Sequence, residues 1–198
     1  IGALIHDIGK SLLPKRMMDK DTSFTEKEIE LLRHHPRLGY KYLSSTYNVN
    51  SLSKMIVLQH HERPDGLGYP DGLKDENILD LSKIVSIADA YDNLSTDLPG
   101  KRAMFPSDVL EYLMSNAGTL FDYYIISVFC RIVIPFPKGT IVKLSTEEIA
   151  RVEETVPNFP LRPILRIISG PRESRVGERI SLLEELSVVI TEIIYDMN

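Results

Sequence analysis

The histidines of this chain are confined to its first 61 residues, where all five of them occur. They lie at three places: His6 beside Asp7, the pair His34 and His35, and the pair His60 and His61. Neutral imidazole is the commonest transition-metal ligand, and a neighbouring carboxylate supplies an oxygen that can bridge two cations. The distribution therefore favours a dinuclear metal site over scattered surface histidines.

Each histidine cluster follows an apolar run that a helix could turn inward. Leu4-Ile5 precede the first cluster, Leu31-Leu32 the second, and residues 55–58 the third. A further candidate, Asp89, ends the apolar run 84–88. Burying an unpaired carboxylate is costly, so Asp89 is expected to have a cation as its partner.

Composition excludes several classes of protein. A hydrophobic content of 43% and a charged content of 26% are typical of a soluble globular chain, and the net charge of −5 disfavours nonspecific nucleic-acid binding. Cys130 is the only cysteine, so an intrachain disulfide is excluded and a reducing cytoplasm is expected. The sequence shows no signal peptide and no apolar run near the ~18 residues of a membrane span.

Helical spacing dominates residues 1–134, for which we predict a mainly α-helical bundle. Thr25 and Glu28 form a capping box, and Pro36 should kink the helix just after His35, turning that ring inward. Further helices are predicted over residues 52–61, 81–94, 109–116 and 120–134. Residues 63–72, with three glycines and two prolines, predict a structured loop.

The pattern changes at residue 135, where a Pro- and Gly-containing segment ends the helical region. Residues 135–198 are predicted to form a small β-containing C-terminal appendage. Its strands are expected over residues 140–144, 149–156 and 164–168. A closing helix is expected over residues 182–195.

Four motifs carry a resemblance to a known family. They are Leu4-Ile-His-Asp-Ile-Gly-Lys10, His35-Pro36 with Gly39, His60-His-Glu-Arg-Pro-Asp-Gly-Leu-Gly-Tyr-Pro70, and Ile87-Ala-Asp-Ala-Tyr-Asp92. In this order they resemble the HD-GYP family of the HD phosphohydrolase superfamily, and the likeness extends to residues 117–122 and 137–144. The resemblance implies an HD-type helical bundle and a bacterial phosphodiesterase that converts cyclic di-GMP to linear pGpG, to GMP or to both.

The resemblance also implies a site. The metal ligands would be His6, Asp7, His35, His60, His61 and Asp89, holding two or three divalent ions, iron or manganese. Asp7 would bridge two of the ions. His35, His60 and His61 would complete the coordination of one ion, and His6 and Asp89 would coordinate the other. A metal-bridged hydroxide would attack the phosphodiester, with Asp7 and Lys10 as the catalytic residues. The substrate contacts would be Lys10, Asp65, Gly68, Tyr69, Asp92 and Lys101, and Asp92 and Lys101 would orient Lys10 and contact the dinucleotide.

Two departures from the family pattern leave alternatives open. The family normally supplies a further Glu or His ligand from an upstream helix, whereas this chain opens at Ile1 inside an apolar segment. We therefore expect Ile1 not to be the natural start, and we expect an upstream sensory or receiver domain. Leu98-Pro-Gly-Lys101 stands where the family usually has Arg-Pro-Tyr. The alternatives are a catalytically impaired cyclic di-GMP receptor or protein-interaction module, and an HD hydrolase of another nucleotide or phosphomonoester.

Other expectations concern partners and single residues. A homodimer or a GGDEF-domain protein would be the protein partner. His34 is expected to face solvent, and Glu62 to hydrogen bond a ligand histidine or to remain a surface charge. Tyr69 could merely cap a turn, and Lys10 could merely neutralise a carboxylate.

Overall fold

The structure, a computed structural model, describes residues 1–18, 24–45, 49–97, 102–171 and 175–194. The chain divides into two compact units. The first unit comprises Ile1–Met104 and Asp108–Ile126, and the second comprises Phe105–Ser107 and Ser127–Asn198.

Short helices build the first unit, which is mainly helical as predicted. Three 3-10 helices, Gly2–Ile5, Ile8–Leu12 and Lys15–Met18, open the chain where α-helix was expected. They are followed by α1 (Glu26–Leu32), α2 (His35–Ser45), α3 (Ser51–Gln59), a 3-10 turn (Asp75–Asn77) and α4 (Asp80–Ser95). Two more helices, α5 (Pro106–Ser115) and α6 (Tyr123–Ile132), include residues of both units. Among the described residues, no helix has both the length and the apolar character needed to cross a membrane.

The start of α1 confirms the predicted capping box. The Thr25 hydroxyl accepts a hydrogen bond from the Glu28 amide, and the Glu28 carboxylate accepts one from the Thr25 amide at 2.9 Å. The predicted position of the kink is wrong, however, because α1 ends at Leu32 and a new helix begins at His35. Pro36 thus lies in the first turn of α2, where its missing N–H needs no partner. The His35 side chain is buried, as expected.

The capping box gives a first prediction. Thr25→Ala should lower the free energy of unfolding by about 1 kcal/mol, because the Glu28 amide at the start of α1 loses its side-chain acceptor. Urea denaturation followed by circular dichroism would measure the change. Thr96→Ala, at an exposed threonine after α4, is the matched control and should leave the midpoint unchanged. Equal midpoints for the two variants would contradict the prediction.

A close backbone approach joins α2 to the second 3-10 helix. A Cβ added at Gly9 would lie 1.9 Å from the His35 carbonyl oxygen and 2.7 Å from the Gly39 amide nitrogen. Only glycine allows the two backbones to come this close. The contact fixes Asp7 and Lys10 of the opening segment beside His35 of α2.

A five-stranded antiparallel sheet forms most of the second unit. Its strands are β1 (Ile141–Leu144), β2 (Ile149–Glu154), β3 (Ile164–Ser169), β4 (Arg179–Ser181) and β5 (Ile190–Ile194), in the order β4-β3-β2-β1-β5. The first three strands confirm the predicted ones. Alternate residues of these strands face a core of their own, which includes Phe136, Val142, Leu144, Ala150, Val152, Leu165 and Ile167. This unit therefore has its own hydrophobic core.

The predicted closing helix over residues 182–195 is wrong. Residues 190–194 form β5, which pairs antiparallel with β1, and turns precede it. The apolar spacing suggested a helix, but every residue except Glu192 from Val188 to Ile194 is β-branched. Such residues lose rotamer freedom in a helix and pack well on a pleated surface. Pairing with the edge of β1 therefore makes this segment a strand.

Candidate metal centre

Six side chains that the sequence marks as metal ligands lie together in the first unit. In one group, a ligand atom from each of Asp7, His35, His60 and His61 lies within 4.8 Å of all the others. A second group, formed in the same way, contains His6, Asp7 and Asp89. Asp7 belongs to both groups, which is the arrangement that a bridging carboxylate requires.

Backbone carbonyls fix the orientation of three of the imidazoles. The Nδ1 atom of His6 lies 2.7 Å from the Ala3 carbonyl oxygen, that of His35 lies 2.8 Å from Leu32 O, and that of His60 lies 2.9 Å from Val57 O. A carbonyl oxygen can only accept, so Nδ1 must carry the proton and donate in each case. When the ring is neutral, its Nε2 lone pair is left to face the cluster, as in proteins that bind metal through histidine.

The facing atoms need a cation between them. The Nε2 atoms of His35 and His60 lie 3.2 Å apart, and His35 Nε2 lies 3.2 Å from Asp7 Oδ1. With Nδ1 protonated, all three of these atoms are acceptors. Asp7 Oδ1 and His6 Nε2 are also buried without a hydrogen-bond partner. Buried acceptors that face one another without a donor are costly, so the donor set fits a divalent metal.

The electrostatics of the centre favour positive charge around His6 and neutral imidazoles at His60 and His61. The carboxylate of Asp7, and next that of Asp89, each 3.4 Å from His6 Nε2, raise the pKa of His6 to about 10. Burial, reinforced by the neighbouring His60, lowers the pKa of His61 to about 2, and burial also lowers the pKa of His60. The last two rings therefore stay in the neutral form that binds metal. The carboxylate pair around His6 stabilises a cation there.

Lys10 lies at the edge of the centre. Its Nζ donates to Asp7 Oδ2 at 2.5 Å, and about a third of each side chain is exposed. It thus neutralises a carboxylate, as one reading of the sequence allowed. It also presents a positive charge to solvent beside the metal ligands.

The Gly- and Pro-containing loop is fastened to the histidine pair by Glu62. This side chain is only 3% exposed, and its oxygens accept hydrogen bonds from the amides of Asp71 at 2.7 Å and Leu73 at 2.9 Å. Neither expectation for Glu62 is correct, since it bonds no histidine and is not a surface charge. A Cβ added at Gly68 would lie 2.4 Å from the Arg63 amide nitrogen, so the loop lies directly against the chain that follows His61.

The loop places Tyr69 beside the metal centre. It also forms one wall of a cleft. The Tyr69 ring stacks on His61, with the two ring centroids 4.7 Å apart, and burial raises the pKa of its hydroxyl. A cleft of about 270 Å³ opens here, and His61, Gly68, Tyr69 and Asp89 are among its lining residues. The Asp65 carboxylate instead bonds Arg63 and the Leu67 amide within the loop. Its contact with substrate stays a prediction.

The chain is similar to known proteins of the HD domain family. Residues 1–125 match the family model of the HD domain. A solved structure described as Bd1817, a HDG"Y"P protein from Bdellovibrio bacteriovorus, has a TM-score of 0.51 and 26% sequence identity over 63% of this chain and 39% of its own. The chain belongs to the HD-GYP branch of the HD domain family. Residues 141–196 of this HD-GYP chain match a second family model, the KOW domain associated with HD domain.

Two relatives of the HD-GYP chain are named as cyclic di-GMP phosphodiesterases. The response regulator RpfG of Xanthomonas campestris is 41% identical over 123 residues, which cover 62% of this chain and 32% of RpfG. PA4108 of Pseudomonas aeruginosa is 31% identical over 172 residues, which cover 87% of this chain and 41% of PA4108. The chain thus spans about a third to two fifths of the length of these relatives.

Two described residues that the sequence analysis weighed, Asp92 and His34, are not part of the cluster. Asp92 lies on α4 one turn after Asp89 and is exposed, and in the described part of the chain Lys10 pairs with Asp7 rather than with Asp92. Lys101 lies outside the described residues. His34 is exposed, as expected. The roles of Asp92 and Lys101 toward substrate stay predictions.

One cleft residue was missed by the sequence analysis. Arg33 lines the cleft, and its guanidinium carbon lies 5.7 Å from the centroid of the Tyr69 ring. No helical or strand pattern distinguishes this arginine from other exposed cations. Its position two residues before His35 was the only available signal.

Proposed function

We propose that the chain carries the catalytic site of a metal-dependent phosphodiesterase that hydrolyses cyclic di-GMP to linear pGpG, to GMP or to both. The observation that carries this proposal is the pair of donor groups sharing Asp7. The two relatives named as cyclic di-GMP phosphodiesterases support the choice of substrate.

The donor chemistry supports a particular assignment of ligands. Asp7, His35, His60 and His61 would hold one ion, and His6, Asp7 and Asp89 the other. Imidazole and carboxylate donors without thiolate suit iron(II) or manganese(II). When bound, two such ions would supply positive charge to the phosphodiester and lower the pKa of an attacking water.

The chain's own residues would orient and hold the substrate. The Nδ1 bonds keep the imidazoles pointing inward, so the centre needs little rearrangement for the reaction. Lys10, one third exposed, would place its ammonium on an unesterified phosphate oxygen beside Asp7. Tyr69 and Gly68 would form the wall against which the nucleotide lies.

Metal removal and return test the proposal directly. The purified protein, stripped with a chelator, should form no product from cyclic di-GMP, because Asp7 and the histidines have no cation to hold the phosphate. Anaerobic addition of Fe(II) or Mn(II) should restore formation of pGpG or GMP, measured by chromatography. Turnover that survives complete metal removal, or no turnover of cyclic di-GMP after reloading, would contradict the proposal.

The same experiment distinguishes the phosphodiesterase from the alternative, a cyclic di-GMP receptor without turnover. That hypothesis depends on the missing upstream ligand and on Leu98 and Gly100, and these two residues lie outside the described residues. Equilibrium binding of cyclic di-GMP without any product after prolonged incubation would favour a receptor. The upstream sensory or receiver domain, the homodimer and the GGDEF-domain partner stay predictions from the resemblance.

A further inference from the structure

Arg33 is anchored beside the metal centre by the backbone around it. Its amide donates to the carbonyl oxygens of Ile29 and Leu31 at the end of α1. Two residues later, His35 begins α2 with its ring in the cluster. The side chain therefore starts from a fixed point, and its guanidinium lies over the Tyr69 ring in the cleft.

The charges of the neighbouring cations are already engaged. Arg63 pairs with Asp65, Arg37 pairs with Asp71, and Lys10 pairs with Asp7. Within residues 1–18, 24–45, 49–97 and 102–126, Arg33 lies within ion-pair distance of no carboxylate. Its side chain is exposed to the cleft, so its donors are available to a ligand.

Aromatic contact orients this cation without neutralising it. A guanidinium over the face of a tyrosine ring is attracted by the ring electrons and keeps its edge donors free. Tyr69 in turn stacks on His61, a member of the first donor group. The stack sets the guanidinium in the lining of the cleft, outside both donor groups.

We propose that Arg33 binds the second, non-reacting phosphate of the substrate. This inference rests on the proposed function, because a cyclic dinucleotide has two phosphodiesters and only one can occupy the metal centre. The other keeps its full negative charge and needs a cation of its own in the cleft that Arg33 lines. A planar guanidinium neutralises that charge and offers two parallel N–H donors to the phosphate oxygens.

The test compares a substrate with two phosphates and a substrate with one. Arg33→Gln should raise KM for cyclic di-GMP about tenfold and leave kcat within about twofold, since the contact is lost equally in ground and transition states. Hydrolysis of bis(p-nitrophenyl) phosphate, which carries a single phosphate, should be unchanged, and so should the bound metal. Arg33→Lys should recover only part of the affinity, because it restores the charge without the paired donors. Lys41→Gln, at an exposed lysine of α2, removes the same charge and should match the wild type.

Ionic strength separates a phosphate contact from a base contact. The KM of the wild type should rise with salt more steeply than that of Arg33→Gln, because screening weakens a charge pair that the variant lacks. A raised KM with an unchanged salt dependence would overturn the phosphate assignment in favour of a guanine contact. A wild-type KM in Arg33→Gln would overturn the inference altogether.

The two proposals fail in different ways. If the wild type hydrolyses bis(p-nitrophenyl) phosphate but not cyclic di-GMP, the proposed function is wrong. The inference is then decided by calorimetry with cyclic di-GMP. A dissociation constant about tenfold higher in Arg33→Gln supports it, whereas equal constants, or no binding to the wild type, overturn it.

Discussion

The Asp7→Asn variant should lose its bound metal, and its turnover of cyclic di-GMP should fall about a thousandfold or more. Among the described residues, this carboxylate is the only side chain that belongs to both donor groups. Its Oδ1 lies 3.2 Å from His35 Nε2, and its Oδ2 lies 3.4 Å from His6 Nε2. An amide keeps the shape of the side chain but removes the negative charge that offsets two cations.

The measurement for Asp7→Asn pairs metal content by mass spectrometry with product chromatography. Asp80→Asn is the matched control, because that carboxylate is 83% exposed on α4 and outside both donor groups. It should keep metal and turnover. Circular dichroism checks that both variants fold. A folded Asp7→Asn protein with normal metal content and normal turnover would contradict the bridging assignment.

The residues of the two donor groups could be singled out as candidates from the sequence because their chemistry is local, while their role as metal ligands stays a prediction. An imidazole beside a carboxylate, after an apolar run, signals a buried polar group that needs a cation, and no tertiary information is required. The helices could also be predicted from local patterns, as the capping box of Thr25 and Glu28 shows. How Asp7 approaches His35 could not be predicted from that pattern, because it depends on Gly9 fitting against another backbone.

The errors have a common physical cause. Residues 190–194 belong to the segment expected as a closing helix, but pairing with β1 makes them a strand. Glu62 follows two candidate ligands and looked like their hydrogen-bond partner, yet its true partners are amides nine and eleven residues later. Arg33 gains its position from contact with Tyr69. In each case the outcome depends on a partner distant in sequence, which local patterns do not specify.

Glu62→Ala should open the loop without emptying the metal centre. The carboxylate accepts from the amides of Asp71 and Leu73, and its removal leaves two N–H groups without partners, each costing about 1–3 kcal/mol while it stays buried. His60 keeps its own bond to Val57, so metal binding should be retained. We expect kcat/KM for cyclic di-GMP to fall about a hundredfold, because Tyr69 and Gly68 no longer hold the wall of the cleft.

Limited proteolysis shows whether the effect of Glu62→Ala is local. Lys74 ends the loop and is exposed, so trypsin should cut after it faster in the variant than in the wild type. The matched control is Glu148→Ala, which removes a carboxylate that is 1% exposed and bonded to Thr146 in the second unit. That change should lower stability yet leave the cleavage after Lys74 unaltered. If both variants speed the cut equally, Glu62 contributes only to general stability. If neither does and kcat/KM is unchanged, the loop does not need this carboxylate, and the wall of the cleft must be held by the contact of Gly68 with the chain after His61.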